Sequence, residues 1–269
     1  MRLSWQDLWE WKNDNSDKKG VKAVHKEIRA SVAMAVYNGE KYIEEQLDSI
    51  VEMLGDNDEI VISYDESTDK TYEIICRYRD KDSRIKVVCN SNKSVESNFN
   101  NAVEHCSGKY IFLADQDDVW IADKINLMVS YMQENPKVKV LISDGYITDE
   151  NLTKKIGIFE EYNTSASAFR NFVKGTYLGC QMAFSSDIKN YVWPVKTNPP
   201  LPHDLWLGVM GARYGKVELM DNKTILHRIH EENYTHTSKM KLLQVIKNRW
   251  LFLCEIIRRS LGNKREKSV

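Results

Sequence analysis

The sequence predicts an α/β fold: a mixed, mainly parallel sheet flanked by helices, followed by an amphipathic helical extension at the C-terminus. Three observations carry this reading. Short β-branched or apolar runs at 30–36, 59–64, 85–89 and 110–114 alternate with longer amphipathic segments, as strands alternate with crossover helices in a parallel sheet. The chain has 269 residues, enough for one large core, since single cores stop growing near ~250–300 residues. Its 42% hydrophobic and 29% charged residues match ordinary globular composition and exclude a disordered or collagenous chain.

Residues 1–27 are read as an N-terminal helical extension, with Trp5, Trp9 and Trp11 among many charges and no continuous apolar stretch of the kind a signal peptide needs. The main domain is expected over 28–236. Its first strand, 30–36, turns at Asn38-Gly39 into a helix with Tyr42, Ile43, Leu47, Ile50 and Val51 at helical spacing. The second, 59–64, runs into the polar turn Asp65-Glu66-Ser67-Thr68-Asp69, where Ser67 or Thr68 is expected to cap a helix starting near Asp69. A third strand, 85–89, and a helix over 95–106 lead through Gly108 to a fourth strand, 110–114, whose end delivers Asp115, Asp117 and Asp118. Ligands of open α/β sheets bind outside the carboxyl ends of strands, so Tyr37, Asp65 and Asp115 should meet at one edge.

A helix is expected from Asp123 to about Asn135, stopped by Pro136, and a further strand over 138–143. Residues 157–175 show no clear period, 179–184 read as a strand returning to the sheet, and Pro194, Pro199, Pro200 and Pro202 mark an extended loop before His203-Asp204. Residues 237–269 close the chain as a basic amphipathic helix and tail. Its Leu242, Val245, Ile246, Leu253, Ile256 and Ile257 alternate with Lys241, Lys247, Arg249, Arg258 and Arg259. Such a helix suits an anionic membrane surface, and equally a packed position on the catalytic domain or on the partner of a homodimer; the sequence leaves these open.

Lys and Arg total 38 against 39 Asp and Glu, so no overall field recruits nucleic acid. No stretch reaches the ~18–20 apolar residues of a membrane span. The five cysteines are widely spaced without a C-x-x-C, which suggests reduced thiols in a cytoplasmic protein, peripheral on the inner membrane face if the basic helix binds lipid. Three carboxylates within four residues repel one another unless a cation sits among them, and hard oxygen ligands favour Mg²⁺ or Mn²⁺. An acidic turn starting a helix is the plainer alternative.

The segments Ala35-Val36-Tyr37-Asn38-Gly39, Asp65-Glu66-Ser67-Thr68-Asp69, Leu113-Ala114-Asp115-Gln116-Asp117-Asp118-Val119-Trp120, Gly179-Cys180 and His203-Asp204-Leu205-Trp206 occur in an order that resembles family 2 glycosyltransferases, over about 31–233. The likeness is to the bacterial polysaccharide branch that includes rhamnosyltransferases. It implies a GT-A-type, Rossmann-like fold and inverting, metal-dependent transfer from a nucleotide-diphosphate sugar, carrying rhamnose or a hexose, to a surface polysaccharide or lipid-linked oligosaccharide. In that reading Asp115 and Asp117 are the D-x-D pair, and Asp117, with Asp115 or Asp118, holds Mn²⁺ or Mg²⁺. Asp65 contacts the nucleotide, with Ala35, Tyr37 and Lys93 in the same pocket. The family's D-D-G-S stands here as Tyr64-Asp65-Glu66-Ser67, which unsettles base specificity.

An inverting transfer needs a base opposite the leaving diphosphate, and Asp204 matches the family's acid for that role. Against the family's Y-R-x-H-x-x-N, His227 replaces Tyr while Arg228, His230 and Asn233 agree. Arg228 would assist the leaving diphosphate and His230 would join the metal ligands. Trp120, Gly179, Cys180, His203 and Trp206 are the candidate acceptor contacts, although large aromatics more often pack cores. Nucleotidyl transfer would use similar metal chemistry but should show a glycine-rich phosphate loop, which the first βα turn lacks. A sugar-binding module without turnover is the remaining alternative.

Overall fold

The structure, a computed structural model, describes residues 27–153, 155–194, 202–231 and 242–266. The N-terminal extension up to residue 26, the prolines at 199 and 200, and Asn233 lie outside these residues.

Strands β1 (Ala30–Val36), β2 (Asp58–Tyr64), β3 (Ile85–Cys89) and β4 (Tyr110–Ala114) pair in parallel in the order β3-β2-β1-β4. Helices α1 (Ile43–Val51), α2 (Thr71–Lys81) and α3 (Val95–His105) connect them. β1 and β4 are apolar almost throughout because both faces are covered. Val32, Met34 and Val36 point to one side, where Ile43, Leu47 and Ile50 of α1 pack; Ala33 points to the other, where Phe99 and Val103 of α3 pack.

The second half is mixed. It contains β5 (Val119–Trp120), α4 (Lys124–Glu134), β6 (Val138–Thr148), β7 (Ile156–Gly157), α5 (Ile158–Tyr162), α6 (Ala168–Lys174), β8 (Met182–Ser185), α7 (Lys189–Val192), α8 (His203–Gly211), β9 (Lys216–Arg228) and α9 (Leu242–Glu266). β8 lies antiparallel between β4 and β6, β9 runs parallel to β6, and β5 is antiparallel to β9, so the sheet continues β4-β8-β6-β9-β5.

Several local expectations change. The helix after β2 starts at Thr71, not Asp69. The Asp69 carboxylate accepts the Thr71 N–H at 3.0 Å, while Ser67 Oγ accepts the Asn38 N–H at 3.0 Å and ties the turn to the loop after β1. Residues 179–181 form a 3₁₀ turn before β8. The unpatterned stretch after 157 folds into α5 and α6. β9 escapes periodicity because Asp221-Asn222-Lys223 interrupts it where its register against β6 shifts. The C-terminal helix packs on the domain: Phe252 is fully buried, 5.0 Å from the Trp206 ring and 5.5 Å from Phe172. Among the described residues no helix is long and apolar enough to cross a membrane, and all five cysteines are free.

Candidate functional site

A cavity of about 660 Å³ opens at the carboxyl ends of β1, β2 and β4, lined by Ala35, Tyr37, Asp65, Lys93, Asp115 and Asp117 on that side. Leu178, Gly179, Cys180, His203, Asp204 and His227 line it from the mixed half of the sheet. Gln116 holds the seam. Its Oε1 accepts the Tyr37 N–H at 2.9 Å and its Nε2 donates to the Tyr37 carbonyl at 2.8 Å, so the loops after β1 and β4 move as one. Gln46 of α1 donates to the Asp115 carbonyl at 2.8 Å.

The acid segment is placed by the far end of the chain. Val119 pairs with Leu226 and Trp120 with Ile225, which sets His227 and Arg228 beside Asp118. His227 Nδ1 lies 2.8 Å from Asp118 Oδ1, and the same oxygen accepts the Arg228 N–H at 3.1 Å. Burial opposes charge on His227, yet the charges of Asp118, Asp115 and Asp117 push its pKa up to about 9. Burial likewise opposes charge on Asp118, but His227 holds its carboxyl below the usual carboxylate range. Among the described residues the Asp115 carboxyl makes no such hydrogen bond. Burial, with the charges of Asp118 and Asp117, pushes it up to about 8, although the His227 charge lowers its pKa somewhat. Asp117 is also raised, by burial and then Asp118, while its Oδ2 lies 2.9 Å from His230 Nε2.

These residues fit a divalent cation. Asp115 and Asp117 carry more negative charge than their protein neighbours neutralise, and the adjoining His230 imidazole adds a nitrogen donor, a set Mn²⁺ accepts more readily than Mg²⁺. Among the described residues the set whose ligand atoms all lie within 4.8 Å of one another is a different one, the buried Asp118, Cys180 and His227. It is knitted by the Asp118–His227 hydrogen bond, and burial, then the charges of Asp118 and Asp115, hold the Cys180 thiol well above its ordinary pKa.

Asp204 sits in the first turn of α8, where its Oδ1 accepts the Leu205 N–H at 2.6 Å, and burial raises its pKa. His203 stacks on Phe99 at 4.2 Å between ring centroids, and burial lowers its pKa, which leaves it neutral. Two buried polar atoms of wall residues, Asn98 Oδ1 and His203 Nε2, have no hydrogen-bond partner among the described residues. Burial raises Asp65, whose carboxylate accepts from Asn90 Nδ2 at 2.6 Å.

A carboxylate-rich cavity at parallel strand ends, with an opposing acid on a separate helix, suits transfer from an anionic donor. A model of glycosyl transferase family 2 matches residues 31–191. The chain belongs to this family. It is 28% identical over 233 residues to an uncharacterised glycosyltransferase of Methanocaldococcus jannaschii, covering 82% of this chain and 79% of that one. It is 33% identical over 106 residues to the Escherichia coli UDP-Glc:alpha-D-GlcNAc-diphosphoundecaprenol beta-1,3-glucosyltransferase WfgD, covering 39% of this chain and 41% of that enzyme. Among solved structures, S. aureus TarS in complex with UDP-GlcNAc superposes with a TM-score of 0.63 at 20% identity, over 86% of this chain and 67% of that one. A mannosyltransferase from Pyrobaculum calidifontis in complex with GDP-Man and Mn²⁺ gives 0.61 at 18%, over 84% and 65%. These likenesses establish the GT-A-type fold.

Within this family 2 fold, the cavity gathers Ala35, Tyr37, Asp65, Lys93, Asp115, Asp117, Gly179, Cys180, His203 and Asp204, all expected from sequence. Four expectations change. Trp120 is buried against Phe112 and Lys124, and Trp206 is buried with its indole N–H on the Val192 carbonyl at 2.6 Å; both are core, not acceptor contacts. Arg228 does not line the cavity. Its guanidinium donates to the Asp117 carbonyl at 2.9 Å and to Glu150 and Glu45, bracing the acid segment from behind. Asp118 is likewise turned to His227 and away from the cavity wall. Sequence reasoning missed Gln116 and Lys124. Gln116 was hidden among acids. Lys124, fully buried with its Nζ on the Cys180 carbonyl and 4.5 Å from the Trp120 ring, looks in sequence like any helix-start lysine; burial lowers its pKa to about 8.

Proposed function

We propose that the chain is an inverting, metal-dependent glycosyltransferase that moves a hexose or a deoxyhexose such as rhamnose from a nucleotide-diphosphate sugar to a surface polysaccharide or lipid-linked oligosaccharide. The observation that carries the reading is one cavity with Asp115 and Asp117, backed by His230, on one wall and Asp204 on another. The nucleotide lies along Ala35–Tyr37 and Asp65, near Lys93, with Asn98 beside it. Asp117, Asp115 and His230 would hold the metal, and a divalent ion bound there would neutralise charge on the diphosphate. The acceptor enters past Gly179, Cys180 and His203. Asp204 takes the proton of its hydroxyl as that oxygen attacks the anomeric carbon, and its raised pKa makes it a stronger base than an exposed carboxylate. Gly179 keeps this entry open, because a Cβ there would lie 2.7 Å from His203 Nε2.

The reading is supported by the named relatives, three of which act on or are solved with nucleotide sugars. A thermal-unfolding screen of UDP-, dTDP- and GDP-sugars tests it. A true donor at 100 times its Kd should add about 2.7 kcal/mol of stability with Mn²⁺ present and much less in a chelator. Stabilisation by no nucleotide sugar would sink the proposal. Stabilisation without slow donor hydrolysis or transfer would instead support a binding module, a reading motivated by Tyr64 and Glu66 in the altered donor turn, where Tyr64 Oη accepts the Ser67 N–H at 2.9 Å.

A further inference from the structure

Helix α9 buries one face on the domain and leaves a second apolar face uncovered. Phe252 and Ile256 pack inward, and Arg259 lies over Trp206 at 4.8 Å. On the outer side Trp250 is 67% exposed, Leu253 41% and Ile257 57%, at spacings of three and four residues that set them in one stripe. The adjoining α6, joined to α9 through Phe172 and Arg249, adds Phe169 at 78% and Val173 at 58%. Large apolar side chains gathered this way on a monomer mark an interaction site.

Along these two helix segments the exposed charges are of one sign. Lys247, Arg258, Arg170 and Lys174 are exposed, and among residues 168–174 and 247–259 the sole acid, Glu255, is buried beneath Arg258 and Arg259. Two copies pairing through this face would bring cation against cation. An anionic bilayer meets both features, since its acyl boundary takes Trp, Leu and Ile while its headgroups take Lys and Arg.

We propose that α9 and α6 form a docking surface for anionic lipid, on which the catalytic domain lies without crossing the bilayer. The placement has a consequence for the cavity. Trp206, the residue that α9 grips with Phe252 and Arg259, stands two positions after Asp204 on α8. The acceptor side of the cavity is therefore held one helix away from the membrane contact.

Sedimentation of the full chain with vesicles tests this. The protein should pellet with phosphatidylcholine vesicles containing phosphatidylglycerol, should not with phosphatidylcholine alone, and should be released by salt. Trp250→Ser with Ile257→Ser, and separately Lys247→Glu with Lys174→Glu, should each reduce bound protein roughly tenfold or more, as expected when apolar or basic side chains leave an anionic surface. Donor-induced thermal stabilisation, unchanged in both pairs of variants, shows that they fold and keeps this proposal separate from the donor reading. Failure to pellet with anionic vesicles overturns it. So does light scattering that shows a dimer dissociated by Trp250→Ser, which would assign the face to a second copy.

Discussion

The two halves of the sheet build their share of the cavity in opposite ways. In the parallel half, the polar wall residues sit directly at strand ends, as Tyr37 follows β1, Asp65 follows β2 and Asp115 follows β4 by one position each. In the mixed half, His227 comes from the end of a 13-residue strand, Asp204 from a helix start and Gly179-Cys180 from a 3₁₀ turn, held by long-range contacts such as Lys124 on the Cys180 carbonyl. The parallel half thus builds its wall from local βα units, whereas the opposite wall exists only once distant segments have docked.

If that division is real, substitutions in the two halves should fail differently. The largest effect belongs to the mixed half: Asp204→Asn should lower the transfer rate by roughly 10²–10⁴, the usual worth of a general base, with donor affinity retained. Because burial raises the Asp204 pKa, the parent enzyme should lose activity as pH falls through a midpoint above the ordinary carboxylate value. Loss of donor binding in this variant would break the comparison. In the parallel half, Asp65→Ala should weaken donor binding roughly 10- to 100-fold, as loss of a hydrogen bond to a charged group does, with the rate at saturation little changed. Calorimetry against the nucleotide diphosphate reads it directly.

The smallest effect lies at the seam. Asp115 is raised to about 8, so between its unfolded value near 4 and pH 8 the native state keeps a proton that the unfolded chain has released, and its contribution to stability falls as pH rises across that window. Asp115→Asn should therefore raise the melting temperature of the metal-free protein at pH 8 by about 2–4 °C, the shift that ~1 kcal/mol makes in a domain of this size. It should also remove most of the stabilisation by Mn²⁺. An unchanged or lowered melting point would show that the acid segment is already neutralised by His227 alone.

The same division governs what sequence could reveal. β1, β3 and β4 are found at their observed bounds and β2 within one residue; β1 and β4, buried on both faces, are near-continuous apolar runs, and β2 and β3 keep shorter ones, Ile60–Ile62 and Val87–Val88. The cavity residues at their ends follow from strand polarity. β9 and the α5–α6 stretch were not legible: their form is set by partners far away in sequence, with Lys223, for example, paired to Asp144 across the shifted β6–β9 register. Trp120 and Trp206 show the converse error. An aromatic beside a candidate acid reads as a sugar platform, but both rings turn inward to fill space that only the assembled layers define.

The two-residue bridge between β5 and β9 also sets an order of events during synthesis. Asp118 and His227 are 109 positions apart, and until residue 228 has been made the acid segment lacks both its imidazole and the guanidinium that holds the Asp117 carbonyl. At ~5–20 residues per second that interval is roughly 5–20 s. During it the parallel half can fold, but its carboxylates face one another without the cationic strand behind them. A nascent chain arrested before β9 consequently carries Asp115, Asp117 and Asp118 without the His227 and Arg228 contacts that fix their segment in the folded chain.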